Sequence, residues 1–162
     1  MISHAIGLEQ LTELSQRAAH APRRRMNLNL HPELSDPVQR MCNAYEPGTF
    51  IRPHRHPERW ELFAVLTGRA SLLLFDEGGR VGERVELGGA SGVAVVEIPP
   101  MTWHSMVSLE PGTVLLEIKQ GPFLPIAPEH FAPFGPVEGT PEAVALERWM
   151  QTAVPGQTPS GT

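Results

Sequence analysis

Between residues 38 and 119 the chain is broken by a turn roughly every ten residues, and this spacing limits its fold more than any other feature. The breaks are Glu46-Pro47-Gly48, Glu77-Gly78-Gly79, Gly88-Gly89-Ala90-Ser91-Gly92, Pro99-Pro100 and Glu110-Pro111-Gly112. They separate candidate strands at 38–46, 49–53, 60–67, 69–76, 80–87, 93–98, 103–109 and 113–119. No helix-length segments are interleaved, so a βαβ architecture is excluded and an all-β barrel or sandwich is expected.

The flanks obey different rules. Residues 7–20 read as a short amphipathic helix, with Leu8, Leu11, Ser15 and Ala18 along one stripe and Glu9, Glu13 and Arg17 on another. Pro22 stops it, and residues 23–32 read as an arm or edge strand. After Gly121, prolines 122, 125, 128, 133, 136 and 141 exclude central strands and predict an extended surface wrap. Pro141 is placed to open a second helix over 142–151. Residues 152–162 are small and polar and predict a disordered tail. The expected organisation is an N-terminal helix and arm (1–37), a β-barrel (38–120), a Pro-rich wrap with a short helix (121–151) and the tail (152–162).

Composition narrows the function classes. The net charge of -5 argues against broad binding to nucleic acid or anionic membranes. Single Cys42 fits a reducing compartment. The opening residues lack the basic and apolar regions of a signal peptide, and no apolar run approaches the length of a membrane span. A cytoplasmic protein is expected. Lys119 is the only lysine and therefore the one residue suited to Schiff-base chemistry.

Chemistry concentrates in residues 48–68 and at His104. Side chains alternate along an extended chain, so His54 and His56 project to one side. Glu61 shares a strand face with Phe63 and Val65, and His104 shares one with Met106 and Ser108. If these strands close one barrel, three imidazoles and a carboxylate converge on a cation. Such donors suit a divalent transition metal and leave positions open for water or substrate. His-x-His alone is a weak signal, a lone strand Glu is commonly a solvated rim residue, and His104 after Pro99-Pro100 also reads as a hydrogen-bonded core histidine. The joint pattern decides between these readings.

Residues 48–68 read Gly-x5-His-x-His-x4-Glu-x6-Gly, which resembles the first signature motif of the cupin superfamily at every position. The second motif is matched by Pro99 and His104, whereas Met101 and Ser108 stand where the pattern has Gly and Asn, and Gly92 is one residue early. Further segments are similar to the WbuC family of cupin-fold metalloproteins. These are Arg23-Arg24-Arg25…Asn27…His31, Asp36-Pro37-Val38-Gln39-Arg40, Trp60-Glu61-Leu62-Phe63, Trp103-His104-Ser105, Leu115 to Lys119 and Gly121-Pro122-Phe123.

The resemblance implies a double-stranded β-helix, the cupin jelly-roll barrel, with His54, His56, Glu61 and His104 as ligands to one divalent metal (Fe, Zn, Mn or Ni). It also implies a setting in bacterial surface-polysaccharide metabolism. Among its polar positions Arg24, Gln39, Arg40 and Asn43 are expected at the substrate. Arg23 to Arg25 reads either as a tethering arm or as a clamp for phosphate or carboxylate.

Three functions compete. In the first, the metal is a Lewis acid for isomerisation or epimerisation of a sugar or sugar acid, with Glu117, His31 or Tyr45 as the base or acid. The second is Fe(II)-dependent dioxygenase chemistry, and the third is a non-enzymatic ligand-binding or regulatory module. The expected partners are a small molecule and a second copy of the chain in a homodimer, since barrel edges must be covered. Neither nucleic acid nor membrane is expected.

Overall fold

The computed structural model describes residues 4–90 and 92–159. Its elements are α1 (Leu8–His20), β1 (Arg25–Asn29), β2 (Val38–Tyr45), β3 (Glu61–Thr67), β4 (Arg69–Phe75), β5 (Val81–Gly88), β6 (Val95–Ile98), β7 (Trp103–Ser108), β8 (Thr113–Gln120) and α2 (Pro141–Met150). One antiparallel sheet runs β1-β2-β8-β3-β6 and the other β5-β4-β7. The two sheets enclose a jelly-roll core of Phe63, Ala70, Leu72, Leu87, Ile98, Met106 and Leu115. This is the all-β cupin fold expected from the turn spacing and the motif.

Alternation along each strand leaves both outer faces apolar, and a helix covers each. Cys42, Ala44 and Val114 meet Leu11, Leu14 and Ala18 of α1. Leu73, Phe75, Trp103 and Val107 meet Ala143, Leu146 and Met150 of α2. Thr140 caps α2 by accepting a hydrogen bond from the Ala143 amide, and Pro141 opens the first turn where a missing N–H costs nothing. Leu8, assigned above to the buried stripe of α1, is 73% exposed because it precedes the first turn that reaches the sheet, and Leu14 takes its place in the packing.

Two other expectations change, and the arm takes one of the two forms expected of it. Residues 49–53 form no ladder strand; only His54 pairs, through isolated bridges to His104 and Phe131. Pro53 has no N–H to donate, which limits pairing there. The arm is a true edge strand, β1, in register with β2 from Arg25↔Tyr45 to Asn29↔Met41. The tail is ordered over 152–159: the Val81 amide donates to the Gln157 carbonyl, the Gly156 amide donates to the Val81 carbonyl, and Ala153 is buried. Its last residues, 160–162, lie outside the described part of the chain.

Candidate metal centre

The β-bridge between His54 and His104 builds the centre. Each backbone N–H donates to the other's carbonyl, at 3.0 and 2.9 Å, so the two side chains stand opposite each other on one face. The Met101 amide donates to the His56 carbonyl at 2.8 Å and carries the pairing on to the second histidine. Met101 takes φ +62 there, the left-handed conformation that the glycine of the second motif would adopt without strain. Glu61 enters from the first residue of β3, whose far end turns at Gly68 (φ +75), where a Cβ would lie 2.5 Å from the Thr113 Cα. Glycine is required at that point of the first motif because the β3–β4 turn packs against β8.

The ligand atoms of His54, His56, Glu61 and His104 all lie within 4.8 Å of one another. The His54 and His104 rings are 4.4 Å apart at their centroids. Each directs Nδ1 at a backbone carbonyl, Arg52 at 2.8 Å and Thr102 at 2.9 Å. A carbonyl only accepts, so Nδ1 carries the proton and Nε2 presents a lone pair. His56 Nε2 and His104 Nε2 are buried 3.1 and 3.0 Å from the Glu61 oxygens, yet neither makes a directed hydrogen bond. Buried nitrogens without partners, fixed tautomers and one carboxylate form a donor set that fits a divalent transition ion.

The electrostatics agree. Burial, with help from the His104 ring, pushes the His54 pKa down to about 3, which keeps the imidazole neutral. Burial works to raise the Glu61 carboxyl, but contacts with His104, His56 and Lys119 outweigh it and hold the group well below the usual carboxylate range.

A cavity of about 730 Å³ opens over the cluster, lined by β1, β2, β3, β7 and β8 and by Phe123 and Ile126 of the wrap. Of the base or acid candidates, Glu117 and Tyr45 line it. Glu117 accepts a hydrogen bond from Asn43 at 2.5 Å and touches Lys119 Nζ at 2.6 Å. Burial raises its pKa despite Lys119. Burial first, then Glu117 and Glu61, raises the Tyr45 phenol well above its ordinary value, so Tyr45 keeps its proton and can donate it in a hydrogen bond.

His31 is a correction. It is buried away from the cavity, and its ring takes up the Arg40 backbone, with the Arg40 amide 3.0 Å from Nδ1. Of the four substrate candidates only Asn43 lines the cavity. Arg40 shares the outer parity of Cys42 and Ala44 and therefore faces away. Gln39 has the inner parity, but its amide donates to the carbonyls of Leu34 and Asp36. Arg24, just before β1 at φ +52, donates to the Pro47 carbonyl.

Arg23 and Arg25 reach the cavity mouth, and both pair with Glu138, at 2.7 and 3.2 Å, which ties the arm to the wrap. Lys119, read above as the one residue suited to Schiff-base chemistry, is held in ion pairs instead. Its ammonium lies 3.1 Å from Glu61 and 2.6 Å from Glu117, and these two carboxylates outweigh burial and raise its pKa. An ammonium held in that state does not serve as a Schiff-base amine. The signal was the shared inner face of Glu117 and Lys119 on β8, which pairs Glu61 with Lys119 and Phe63 with Glu117.

Residues 6–87, just over half of the chain, match the family model described as "Domain of unknown function (DUF6016)". No curated protein matches the chain. Among solved structures, the protein of unknown function SPY1581 from Streptococcus pyogenes is 14% identical, with 76% of this chain and 92% of that one covered and a TM-score of 0.51. An oxalate oxidase in complex with the substrate analogue glycolate is 15% identical at a TM-score of 0.51, with 68% of this chain and 58% of that one covered. A cupin superfamily protein, DSY2733 from Desulfitobacterium hafniense, is 18% identical at a TM-score of 0.47, with 59% and 76% covered. For the first two, at these identities, the likeness is one of fold. No helix among the described residues is long and apolar enough to cross a membrane.

Proposed function

The chain belongs to the DUF6016 family, and from that membership and the geometry above we propose that it is a metal-dependent cupin enzyme acting on a small molecule held over His54, His56, Glu61 and His104. The observation that carries this reading is the set of buried imidazole Nε2 atoms turned towards one carboxylate, without hydrogen-bond partners of their own. A divalent ion there supplies Lewis acidity, which polarises a carbonyl or a bound water.

The chain's own residues supply the remainder. Nδ1 bonds from His54 and His104 to backbone carbonyls lock both rings in place. His104, His56 and Lys119 together keep Glu61 ionised. Glu117, whose carboxyl burial raises above its ordinary range, stands beside the cavity as the proton-carrying group, while Asn43 and Lys119 hold its two oxygens. This arrangement favours isomerisation or epimerisation next to a carbonyl.

The finer reading, a WbuC-type cupin of surface-polysaccharide metabolism acting on a sugar or sugar acid, rests on the resemblance in residues 23–31, 36–40 and 115–123. A homodimer belongs to the same proposal, on the edge strands β1 and β6. Sedimentation at micromolar concentration should show a species of twice the 17.8 kDa chain mass.

The test of the reaction is proton exchange. Protein loaded with Zn²⁺ or Mn²⁺ is incubated in D₂O with uronic acids and short keto acids, and NMR follows deuterium at the carbon beside the carbonyl. Wild type should exchange it, whereas Glu117→Gln should keep its metal and lose exchange at least about a hundredfold. Equal exchange by Glu117→Gln contradicts the assignment of Glu117. Oxygen uptake with Fe(II) and none with Zn²⁺ points instead to a dioxygenase.

A further inference from the structure

The cavity over the metal centre has two unlike parts. Its floor is polar, yet outside the imidazole cluster most polar side chains there are occupied with one another. Lys119 pairs with Glu61 and Glu117, and Asn43 donates to Glu117. The mouth repeats this pattern, with Arg23 and Arg25 held by Glu138 and Asn27 donating to Asn29. A hydroxyl-rich ligand needs free donors and acceptors around its whole perimeter, because each hydroxyl buried without a partner loses affinity. This lining keeps few in reserve.

The wall between floor and mouth is of another kind. Met41 of β2, Phe63 of β3 and Met106 of β7 project inwards, and Ile51, Phe123 and Ile126 continue the surface to the opening. Phe123 is 45% exposed at the mouth. Thioether and aromatic side chains of this sort accommodate varied apolar shapes and bind them by area removed from water.

We propose that the ligand of this cavity is amphipathic: an organic acid or carbonyl compound whose polar end meets the four-ligand cluster and whose alkyl or aryl body lies along Met41, Ile51, Phe63, Met106, Phe123 and Ile126. The inference rests on the metal-centre reading and departs from a sugar as substrate. The polar head sits beside the imidazoles at the floor, and most of the wall between floor and mouth is apolar. Phe123, left half in water, gains a partner when the ligand body covers it.

The test is a series of n-alkyl hydroxamates, from acetohydroxamate to octanohydroxamate, titrated calorimetrically into Zn²⁺-loaded protein, with galacturonate as the sugar-acid arm. Affinity should rise by about fourfold per methylene until the wall is covered. Phe123→Ser, at an exposed position, should weaken octanohydroxamate by about tenfold and leave acetohydroxamate unchanged. Affinity that stays flat with chain length, or galacturonate binding more tightly than hexanohydroxamate, overturns the inference and leaves the metal centre standing. Protein that takes up no Zn²⁺ in the parallel metal titration overturns both.

Discussion

The outer face of β4 and the inner face of β8 are both buried, yet they are built to opposite rules. On β4, Leu73 and Phe75 pack with Trp103 and Val107 beneath Ala143, Leu146 and Met150 of α2, an all-apolar layer between sheet and helix. On β8, Leu115 belongs to the core, but the next inward positions are Glu117 and Lys119, grouped with Glu61 beside a cavity. Burying three charges costs several kcal/mol that a hydrophobic substitute would not. The α2 layer shows that this chain can fill such a space with hydrocarbon. Charge retained on β8 therefore has a reason other than packing, which the proposed metal centre supplies.

That contrast predicts which substitutions uncouple stability from metal binding. Lys119→Met removes the cation between two buried carboxylates and should lower the stability of metal-free protein by about 3–5 kcal/mol in urea unfolding. Saturating Zn²⁺ should then raise its melting temperature by more than it raises that of wild type, because the ion replaces the lost positive charge. An equal or smaller shift would remove Lys119 from the electrostatics of the centre. Leu73→Ala, in the other region, should cost about 2–5 kcal/mol through its cavity while metal stoichiometry stays unchanged.

How much of this was legible in the sequence follows the same divide. His54, His56, Glu61 and His104 were readable because strand alternation and motif spacing place them without knowledge of the partner strands. Lys119 was visible as the lone lysine, but its task depends on the register that sets it opposite Glu61, which no local pattern encodes. Arg24 was chosen over Arg25 for a similar reason. The two are neighbours, but β1 begins at Arg25 and Arg24 precedes it at φ +52. His31 and Arg40 carry suitable chemistry but lie off the cavity, His31 held by the Arg40 backbone and Arg40 on the outer parity of β2. The tail read as disordered from composition, whereas two backbone hydrogen bonds to Val81 hold 156–157 against the start of β5.

Acidification acts on the metal-centre side and grows gradually with falling pH. The folded pKa of His54 is about 3 against an ordinary 6.5, so between those values the unfolded chain binds a proton that the folded chain refuses. Metal-free protein should therefore lose stability steadily as pH falls through that window, and His54→Gln should flatten the slope. An unchanged slope would contradict a neutral, buried His54. The smallest expected change lies on the α2 side. Thr140→Ala removes the helix cap and should cost about 1 kcal/mol, with no change in metal content.

Elemental analysis of protein prepared without chelators or nickel resin tests the central claim most directly. Wild type should carry one divalent transition ion per chain, and the His56→Ala and Glu61→Ala variants, folded by circular dichroism, should carry almost none. Wild-type protein free of metal after incubation with Zn²⁺, Mn²⁺, Ni²⁺ and Fe²⁺, or variants that retain the ion in full, would contradict it.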